Sequence, residues 1–301
     1  MRDHTRFGIG GEAELLADAF DDTAFLAALC IAKECGLPWT VLGGGSNLIV
    51  ADEGLRGIAL RYRASRIARE DGLVKADAGA ELQALVDFNI SRGLAGLHTM
   101  TGIPGWVGGA IYGNAGAYGH SINESVVGVR IFDGACVRWL TNAECEFAYR
   151  ESIFKRRKDW ILLEAEFRLP ADDPERLKAK ADEIRRIRDE KYPPSMKCAG
   201  SIFKNCIFGQ LPARAAAEVP ANVIREGKVP SAWFLEQVGA KGIRRGDIQV
   251  AHYHANLVYN DGDGRSSDVC AIIDDLKDRV WKRFELALEE EVQYVGFKDR
   301  G

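Results

Sequence analysis

The sequence predicts a mixed α/β protein, and three observations support this fold class. Apolar residues recur with helical spacing in several segments, the longest of them at 269–284. The middle of the chain instead alternates apolar and polar residues, as at 161–169, which is typical of strands. Glycine-rich loops follow predicted strands, as they do in many α/β ligand-binding proteins. At 301 residues the chain exceeds the usual size of a single core, so two or three domains are expected.

The first third of the chain is predicted to alternate helices and strands. We expect a helix at 22–35, strands at 39–42 and 58–61, and a second helix at 81–92. Asp22 or Thr23 would cap the first helix, because such side chains accept hydrogen bonds from exposed backbone N–H groups. Gly93 would end the second helix. A glycine-rich loop would therefore follow directly after the strand at 39–42.

From Val126 onward the pattern is that of strands. Strands are expected at 161–169 and near the apolar residues Val129, Ile131, Val137 and Trp139. A polar helix follows from Pro174 to about Glu190. Its apolar side is made of Leu177, Ala181, Ile184 and Ile187. Pro193 and Pro194 end this helix and mark an expected domain boundary.

The last third of the chain has enough apolar residues for a core of its own. A short helix around Trp233 is expected to end at Gly239, and Gln249 to Tyr259 is predicted as one strand. The longest helical stripe is made of Val269, Ile272, Ile273, Leu276, Val280 and Phe284. On the predicted strand His252 and His254 would share one face. No third ligand of matching spacing accompanies them, so no metal site is predicted.

Two glycine-rich segments carry the strongest functional signal. Eight glycines lie from Gly96 to Gly119, a segment that includes TGIPGWVGGAIYGNAGAYG. Residues 42–48, LGGGSNL, follow a predicted strand and could form a nest of backbone N–H groups for a phosphate. Glycine is favoured where a ligand approaches the backbone closely, so the pair suggests a large nucleotide cofactor. Glycine-rich turns between short strands are the alternative, and no P-loop string occurs.

The chain contains five motifs in a fixed order. They are LGGGSNL, GIPGWVGGAIYGNAGAYG, YRES at 149–152, GSIFKN at 200–205 and a late EV at 291–292. Their order and spacing, over nearly the whole chain, resemble the UDP-N-acetylenolpyruvoylglucosamine reductase family. The resemblance implies a two-lobed FAD-binding domain of the vanillyl-alcohol-oxidase (PCMH) type at 1–190, with lobes at about 1–62 and 63–190. It also implies a smaller α/β substrate-binding domain at 191–301, in the shorter family type that lacks a tyrosine-bearing loop.

The resemblance also implies the ligands and their binding residues. The ligands are non-covalently bound FAD, NADPH as hydride donor, and UDP-N-acetylglucosamine enolpyruvate as substrate in peptidoglycan precursor synthesis. The FAD residues are Leu42, Gly43, Gly44, Gly45, Ser46, Asn47, Leu48, Thr101, Gly102, Ile103, Pro104, Gly108, Gly109, Ala110, Asn114, Ala115, Gly116, Ala117 and Tyr118. The substrate residues are Tyr149, Lys191, Lys204, Asn205 and Gln237. His98 is either a further flavin contact or a polar residue satisfied within the fold.

The same resemblance gives three residues catalytic roles. Ser201 would donate a proton, and Arg150 would stabilise the substrate carboxylate and enolate. Glu291 would protonate the carboxylate or hydrogen-bond to it if burial raises its pKa. Glu289 and Glu290 are adjacent to Glu291, so spacing alone leaves the register ambiguous.

Two positions depart from the family pattern. Cys206 stands where the family usually has proline, which would loosen the loop that holds Ser201. Thr101 stands where the family usually has a small residue. Neither change removes a catalytic group.

Composition and charge narrow the class of protein. The net charge of −4 and a pI of about 5.8 argue against a nucleic-acid-binding protein. Seven cysteines without a C-x-x-C string predict reduced thiols in a cytoplasmic protein. No apolar run of about 18 residues occurs, so no membrane insertion is expected. A monomer is expected, and the basic run at 155–158 is either solvated surface or a patch that steers anionic ligands.

Two rival functions remain open on the sequence. A related FAD sugar or alcohol oxidase would use molecular oxygen and would not need the loop at 200–205. A non-catalytic nucleotide-binding module would need neither Arg150 nor Glu291. A flavin spectrum would exclude the module. NADPH consumption that depends on the enolpyruvyl sugar nucleotide would separate a reductase from an oxidase.

Overall fold

The computed structural model describes residues 1–300, which divide into two compact units. The larger unit consists of residues 14–44 and 56–193. The smaller unit consists of residues 1–13, residues 45–55 and the described residues from Pro194 onward. Residues 1–13 and 45–55 therefore belong to the same compact unit as the C-terminal part of the chain. Compact units and functional domains need not coincide, so the assignment of 1–190 to FAD and 191–301 to substrate stays a prediction.

The described residues form eight α-helices and eighteen strands. The helices are α1 (Asp22–Glu34), α2 (Leu82–Ile90), α3 (Val107–Tyr112), α4 (Ile153–Arg156), α5 (Pro174–Lys191), α6 (Ala213–Glu218), α7 (Ser231–Gln237) and α8 (Ser266–Phe284). The strands up to residue 132 are β1 (Ala13–Ala19), β2 (Trp39–Leu42), β3 (Leu48–Val50), β4 (Leu55–Tyr62), β5 (Ile67–Glu70), β6 (Leu73–Asp77), β7 (Gly116–Ala117), β8 (His120–Ser121) and β9 (Val126–Phe132). The later strands are β10 (Val137–Thr141), β11 (Ile161–Phe167), β12 (Lys197–Ser201), β13 (Cys206–Ile207), β14 (Lys228–Val229), β15 (Arg244–Arg245), β16 (Ile248–Val250), β17 (Leu257–Asn260) and β18 (Gln293–Val295). None of the helices in the described part of the chain is long and apolar enough to cross a membrane.

The first sheet of the larger unit has three strands in the order β1-β4-β2. β2 runs parallel to β4, and α1 buries Phe25 and Leu29 in the same core as Leu60 and Tyr62. The cap of α1 is Asp21, whose Oδ1 accepts a hydrogen bond from the N–H of Ala24 at 2.8 Å. The predicted caps, Asp22 and Thr23, are wrong by one or two residues, because the backbone of Asp21 is still extended while Asp22 is already helical.

The second sheet of the larger unit has five antiparallel strands in the order β10-β9-β11-β6-β5. Its core also takes up the apolar faces of α2, α3 and α5. The edge strand β10 buries Leu140 on one face and exposes the apolar residues Val137 and Trp139 on the other. Helix α5 buries Leu177, Ala181 and Ile184 as predicted, but Ile187 is exposed.

The smaller unit has a four-stranded antiparallel sheet in the order β12-β17-β16-β15. All six apolar residues of the predicted stripe on α8 are buried, which confirms that helix. The prediction of one strand from Gln249 to Tyr259 is wrong. The chain reverses at Ala251, whose N–H donates to the carbonyl of Leu257 at 2.9 Å, and β16 and β17 form a hairpin. His252 and His254 therefore lie in the turn and share no strand face.

Asp52 fixes the beginning of α8 from a distant part of the sequence. Its carboxylate accepts hydrogen bonds from the N–H of Ser266 at 2.7 Å and from the N–H and hydroxyl of Ser267 at 3.1 and 2.8 Å. Burial alone would raise the pKa of the Asp52 carboxyl, but these hydrogen bonds outweigh it and hold the pKa below its usual range. The first turn of α8 thus depends on an ionised Asp52.

We expect Asp52→Ala to lower the free energy of unfolding by about 1–2 kcal/mol at neutral pH, as the loss of a helix cap does. Because the folded pKa is lowered, this contribution is complete above the ordinary Asp pKa of about 3.9 and is lost as the pH falls below it. Urea unfolding at pH 7 and near pH 3 measures the difference. Asp278→Ala on the same helix removes only an exposed pair with Lys282 and should cost less than about 0.5 kcal/mol. An equal loss in both variants would contradict the capping role.

Candidate active site

Arg150 lies in a strained turn of the larger unit. The N–H groups of Ala148 and Glu151 donate to each other's carbonyls at 3.1 and 3.0 Å, which closes the turn. Arg150 has a φ of +56°, a left-handed conformation that few non-glycine residues adopt. Such a conformation costs on the order of 1 kcal/mol and is often found at functional sites. The turn therefore fixes where the Arg150 side chain leaves the backbone.

The Tyr149–Ser152 motif packs against the second glycine-rich loop. The Arg150 guanidinium donates to the carbonyl of Gly116 at 2.8 Å. In return the Asn114 amide, which is buried, donates to the carbonyl of Ala148 at 2.8 Å. The hydroxyl of Ser152 donates to the carbonyl of Tyr112 at 2.7 Å. Two motifs that the sequence predicts separately thus form one hydrogen-bonded cluster.

The two glycine-rich loops also meet within the larger unit. A Cβ at Gly44 would lie 3.1 Å from the Trp106 ring and 3.2 Å from the Cα of Gly105, so the contact leaves little room for a side chain. Gly108 likewise packs on Ala78, and its N–H donates to the Ala78 carbonyl at 2.8 Å. A Cβ at Gly43 or Gly109 would meet nothing within 4 Å. The loops therefore have one side closed by packing and another side open to a ligand.

Gln83 on α2 supports the start of the second loop, a role that the sequence does not suggest. Its side-chain oxygen accepts a hydrogen bond from the N–H of Gly102 at 2.7 Å, and its amide donates to the Thr101 hydroxyl at 3.2 Å. Thr101, which departs from the family pattern, is thereby buried and hydrogen-bonded. The departure at this position has a local explanation.

Ser201 is the last residue of β12 in the smaller unit, and a β-bulge precedes it. Cys198 pairs with Tyr259 while Ser201 pairs with Leu257, so β12 contains one extra residue. Gly200 lies in this bulge with a φ of +80°, which glycine adopts without strain. Bulges redirect side chains and are common beside active sites. The bulge therefore determines the direction in which Ser201 points.

The segment after Ser201 is held by Asn256, which is not among the predicted site residues. The buried Asn256 side chain accepts from the N–H of Phe203 at 2.9 Å and donates to the carbonyl of Phe203 at 2.8 Å. The N–H of Ile202 donates to the Asn256 carbonyl at 3.1 Å. A possible sequence signal was an Asn placed just before the apolar strand β17.

The tail brings Glu291 beside the Ser201 segment. The N–H of Glu291 donates to the carbonyl of Ile202 at 2.7 Å. Glu289 forms an ion pair with Lys204, and Glu290 forms one with Lys277 at 2.7 Å. The three neighbouring glutamates thus have different surroundings, and the structure brings Ser201 and Glu291 into adjoining segments of one unit.

The predicted substrate residues lie in both units. In the smaller unit Lys204 is buried, its carbonyl accepts from the hydroxyl of Ser231, and the exposed Asn205 follows it. Gln237 ends α7, and its carbonyl accepts a hydrogen bond from Arg283. In the larger unit Lys191 ends α5 with its Nζ 5.2 Å from the Tyr192 ring centroid. Roles for these residues and for Tyr149 stay predictions.

Cys206 is the first residue of β13, which follows the Ser201 segment and pairs with β14. Burial raises the pKa of the Cys206 thiol to about 11, so this thiol stays protonated at neutral pH. All seven cysteines are free thiols. The strand pairing gives the position an ordered backbone without the family's proline.

His98 and the two arginines of the basic run have neighbours that the structure identifies. His98 is buried, and its Nδ1 accepts a hydrogen bond from the N–H of Gly96 at 3.3 Å, whereas its buried Nε2 has no hydrogen-bond partner in the protein. Within residues 1–300 no group of three His, Cys, Asp or Glu side chains is arranged to hold a metal ion. In the basic run Arg156 pairs with Glu146, and Arg157 pairs with Asp159 at 2.8 Å. These exposed pairs favour a solvated surface for the two arginines, whereas the Nζ of the largely buried Lys155 donates to the carbonyl of Arg150 at 2.6 Å.

Comparisons with known proteins identify the family. A family model described as the FAD binding domain matches residues 19–136, and one described as the C-terminal domain of UDP-N-acetylenolpyruvoylglucosamine reductase matches residues 192–295. A UDP-N-acetylenolpyruvoylglucosamine reductase of Solibacter usitatus is 58% identical over 97% of this chain and 94% of its own length. The chain belongs to the UDP-N-acetylenolpyruvoylglucosamine reductase family.

More distant members of the reductase family also match this chain over nearly its whole length. The reductase of Rubrobacter xylanophilus is 38% identical over 98% of this chain and 93% of its own length. That of Bacillus subtilis is 32% identical over 98% of this chain and 92% of its own length. A crystal structure of the Thermus caldophilus reductase, 28% identical, superposes with a TM-score of 0.75 over 98% of this chain and 96% of its own. The predicted family and the mixed α/β fold class are confirmed, and the protein is an FAD-dependent oxidoreductase.

The residues of this chain fit FAD. Gly43 and Gly109 leave open space beside loops that are otherwise closed by packing, and a flat, anionic cofactor could approach the backbone there. Both glycines are among the residues predicted to bind FAD. Their individual contacts with the cofactor stay predictions.

Gly109→Val tests the open side of the second loop. A Cβ added there would meet no atom of another part of the protein within 4 Å, so the added side chain should interfere chiefly with a bound ligand, and we expect FAD to bind at least roughly tenfold more weakly. Flavin absorbance per protein and FAD titration by fluorescence measure the change. Gly209→Val in the smaller unit is an equally open control and should purify with its full flavin content. Full flavin content in Gly109→Val would show that this glycine does not face FAD. Gly44→Val is a less clean test, because it also crowds Trp106.

Proposed function

We propose that this enzyme reduces UDP-N-acetylglucosamine enolpyruvate to UDP-N-acetylmuramate in peptidoglycan precursor synthesis, with NADPH as the hydride source. One observation carries the proposal. The Ser201 and Glu291 segments of the smaller unit are joined by a 2.7 Å hydrogen bond from the N–H of Glu291 to the carbonyl of Ile202, in a chain whose relatives are reductases of that name. This pairing places a hydroxyl and a carboxyl group on neighbouring segments.

The reaction needs one hydride and one proton. FAD, when bound, would take the hydride from NADPH and supply it to the CH₂ carbon of the enol ether. Negative charge then develops on the adjacent carbon and on its carboxylate, and a proton delivered to that carbon completes the lactyl ether. The residues must therefore hold the carboxylate, stabilise its charge and supply a proton.

We assign the role of proton donor to Ser201. A serine hydroxyl is a weak acid, so it can serve only if it is held in line with a strongly basic carbon. The bulge at Gly200 and the hydrogen bonds of Asn256 give the segment around Ser201 that rigidity. The hydroxyl would regain its proton from solvent after each turnover.

We assign binding of the substrate carboxylate to Arg150 and Glu291. The turn at Ala148–Glu151 and the carbonyl of Gly116 hold the Arg150 guanidinium, a donor suited to a carboxylate. Glu291 would hydrogen-bond or protonate the carboxylate. Tyr149, Lys191, Lys204, Asn205 and Gln237 would bind the sugar nucleotide, whose diphosphate favours cations and amide donors.

We also propose a cytoplasmic location and a monomeric state. The first is supported by seven free thiols, three of them exposed, which persist in a reducing compartment. The second follows the family resemblance. Gel filtration of the purified protein tests it.

The proposal is tested by NADPH oxidation with the purified protein. NADPH consumption should require UDP-N-acetylglucosamine enolpyruvate, and mass spectrometry should detect the reduced lactyl ether. Consumption of oxygen with a sugar or alcohol, and no response to the enolpyruvyl substrate, would instead indicate an oxidase. A protein without a flavin spectrum and without turnover would be a binding module.

Ser201→Ala should separate the two half-reactions. NADPH should bleach the flavin at a near-normal rate, because that step needs no proton from the serine. Reoxidation by the enolpyruvyl substrate should slow by at least ~10², the usual effect of a positioned acid. Substrate affinity should persist, so the loss would appear in the rate. Single-turnover stopped-flow absorbance measures both steps, and parental reoxidation would exclude Ser201 as the donor and make Cys198 or a water the candidate.

Glu291→Gln should keep flavin reduction by NADPH but slow reoxidation by the substrate, because the amide cannot give up a proton as a carboxylic acid can. Glu290→Gln is the matched control, since Glu290 pairs with Lys277 and should affect only stability. Glu289→Gln would act through Lys204 and should change KM rather than the rate of reoxidation. A normal Glu291→Gln enzyme beside a slow Glu290→Gln enzyme would move the catalytic role to Glu290.

A further inference from the structure

Asn47 contacts the Ser201 and Glu291 segments at the same time. Its side-chain amide donates to the carbonyl of Ala199 at 2.9 Å, two residues before Ser201. Its own carbonyl accepts from the N–H of Gln293 at 3.0 Å, two residues after Glu291. All these residues belong to the smaller unit.

Each contact of Asn47 lies at a structurally defined point. Ala199 is buried and belongs to the bulge that precedes Ser201. Gln293 begins β18, which pairs in parallel with β3, so that Gln293 lies opposite Leu48. Asn47 is therefore the residue at which the first glycine-rich loop passes into the strand beside the tail.

The contact at Ala199 acts where β12 is irregular. The bulge leaves an extra residue between Cys198 and Ser201, so regular strand pairing does not fix the backbone there. Asn256 holds the chain after Ser201, and Asn47 holds it before Ser201. Loss of the Asn47 amide would free the bulge on one side while Asn256 still anchors the other.

We propose that Asn47 is a positioning residue for proton delivery: its side chain fixes the Ser201 segment to the cofactor loop and does not serve mainly to bind FAD. The inference rests on the proposed function, because it takes residues 45–48 as part of the FAD site and Ser201 as the proton donor. Hydride and proton must reach two adjacent carbons of one substrate. The hydroxyl of Ser201 must therefore keep a fixed place relative to the loop that holds the cofactor.

The neutral side-chain amide of Asn47 suits this role. A side-chain amide can donate to the Ala199 carbonyl, whereas a carboxylate of the same shape would place an acceptor against an acceptor. Asn47→Asp thus reverses the contact with almost no change in volume. Asn47→Ala removes the contact. The backbone bond from Gln293 does not involve the side chain and is available in both variants.

The test uses the purified flavoprotein and separates binding from chemistry. In Asn47→Ala we expect the FAD dissociation constant, measured by flavin fluorescence, to stay within about threefold of the parent. The added carboxylate of Asn47→Asp repels the anionic cofactor, so this variant is assayed with FAD at saturation. Flavin reduction by NADPH should be near normal. Reoxidation by UDP-N-acetylglucosamine enolpyruvate should slow at least tenfold, and its solvent deuterium isotope effect should increase because proton delivery limits the rate. Substrate affinity of the oxidised enzyme should be unchanged.

Asn260→Asp is the matched control. Asn260 is a buried asparagine of the same unit whose amide donates to the carbonyl of Gly8 at 3.1 Å, with no side-chain bond to the Ser201 segment. It should lower the melting temperature while the folded, flavin-loaded protein reoxidises at the parental rate. If the Asn47 variants lose FAD but the loaded fraction reoxidises normally, Asn47 is a cofactor ligand and the inference is wrong.

Two further outcomes separate the inference from the function on which it rests. If both Asn47 variants reoxidise at the parental rate, the inference fails while the proposed function stands. If the parent itself does not reoxidise with the enolpyruvyl substrate, the proposed function fails. Thermal melting of each purified variant shows whether it is folded. If Asn47→Asp is not folded, Asn47→Ala decides the test.

Discussion

The parallel pairing of β18 with β3 is the interaction on which the smaller unit depends. It sets the end of the chain beside residues 48–50, with Gln293 opposite Leu48. From this register the tail continues back past the Ser201 segment, where Glu291 bonds to Ile202 and the backbone of Lys204 bonds to Glu289. A shift of one residue would turn every side chain of β18 to the other face, so the buried Val295 on one face and Tyr294, which packs against the core of this unit from the other face, oppose such a shift.

Asparagine side chains that bond to backbone carbonyls hold the irregular segments of both units. Asn114 bonds to Ala148 in the larger unit, and Asn47 and Asn256 bond to Ala199 and Phe203 in the smaller unit. Loops and bulges leave backbone groups without the partners that regular strands supply, and burying such groups without partners is costly. A short amide offers both a donor and an acceptor at little loss of side-chain entropy, so it can satisfy these groups and fix the loop.

The glycines of the larger unit have two different physical roles. At Gly44 and Gly108 a Cβ would lie 3.1 and 2.9 Å from the nearest neighbouring protein atom, which is closer than ordinary contact, so these positions let the loops pack closely. Gly109, one residue further along α3, meets open space. Adjacent glycines in one motif can therefore serve packing and ligand access separately, and a motif alone does not distinguish them.

The sequence by itself determined the fold class, most of the elements and the family. The stripe on α8 and the alternation of β11 have strong periods, because one face of each is buried along its whole length. The ordered motifs were specific enough to name the family, and they included Arg150, Ser201 and Glu291. These features depend on local spacing, which a sequence displays directly.

Tertiary structure decided the remaining features, because they depend on contacts between distant residues. Local periodicity could not show that β16 and β17 are two strands, since the apolar residues continue across their turn. Local periodicity also could not show that β10 buries Leu140 and exposes Val137 and Trp139, because the buried face depends on which side of the sheet the helices cover. The bonds of Asn47, Asn256 and Gln83 join segments that are far apart in sequence or in separate elements. No spacing rule predicts such bonds, because the partner is a backbone carbonyl or N–H that every residue carries.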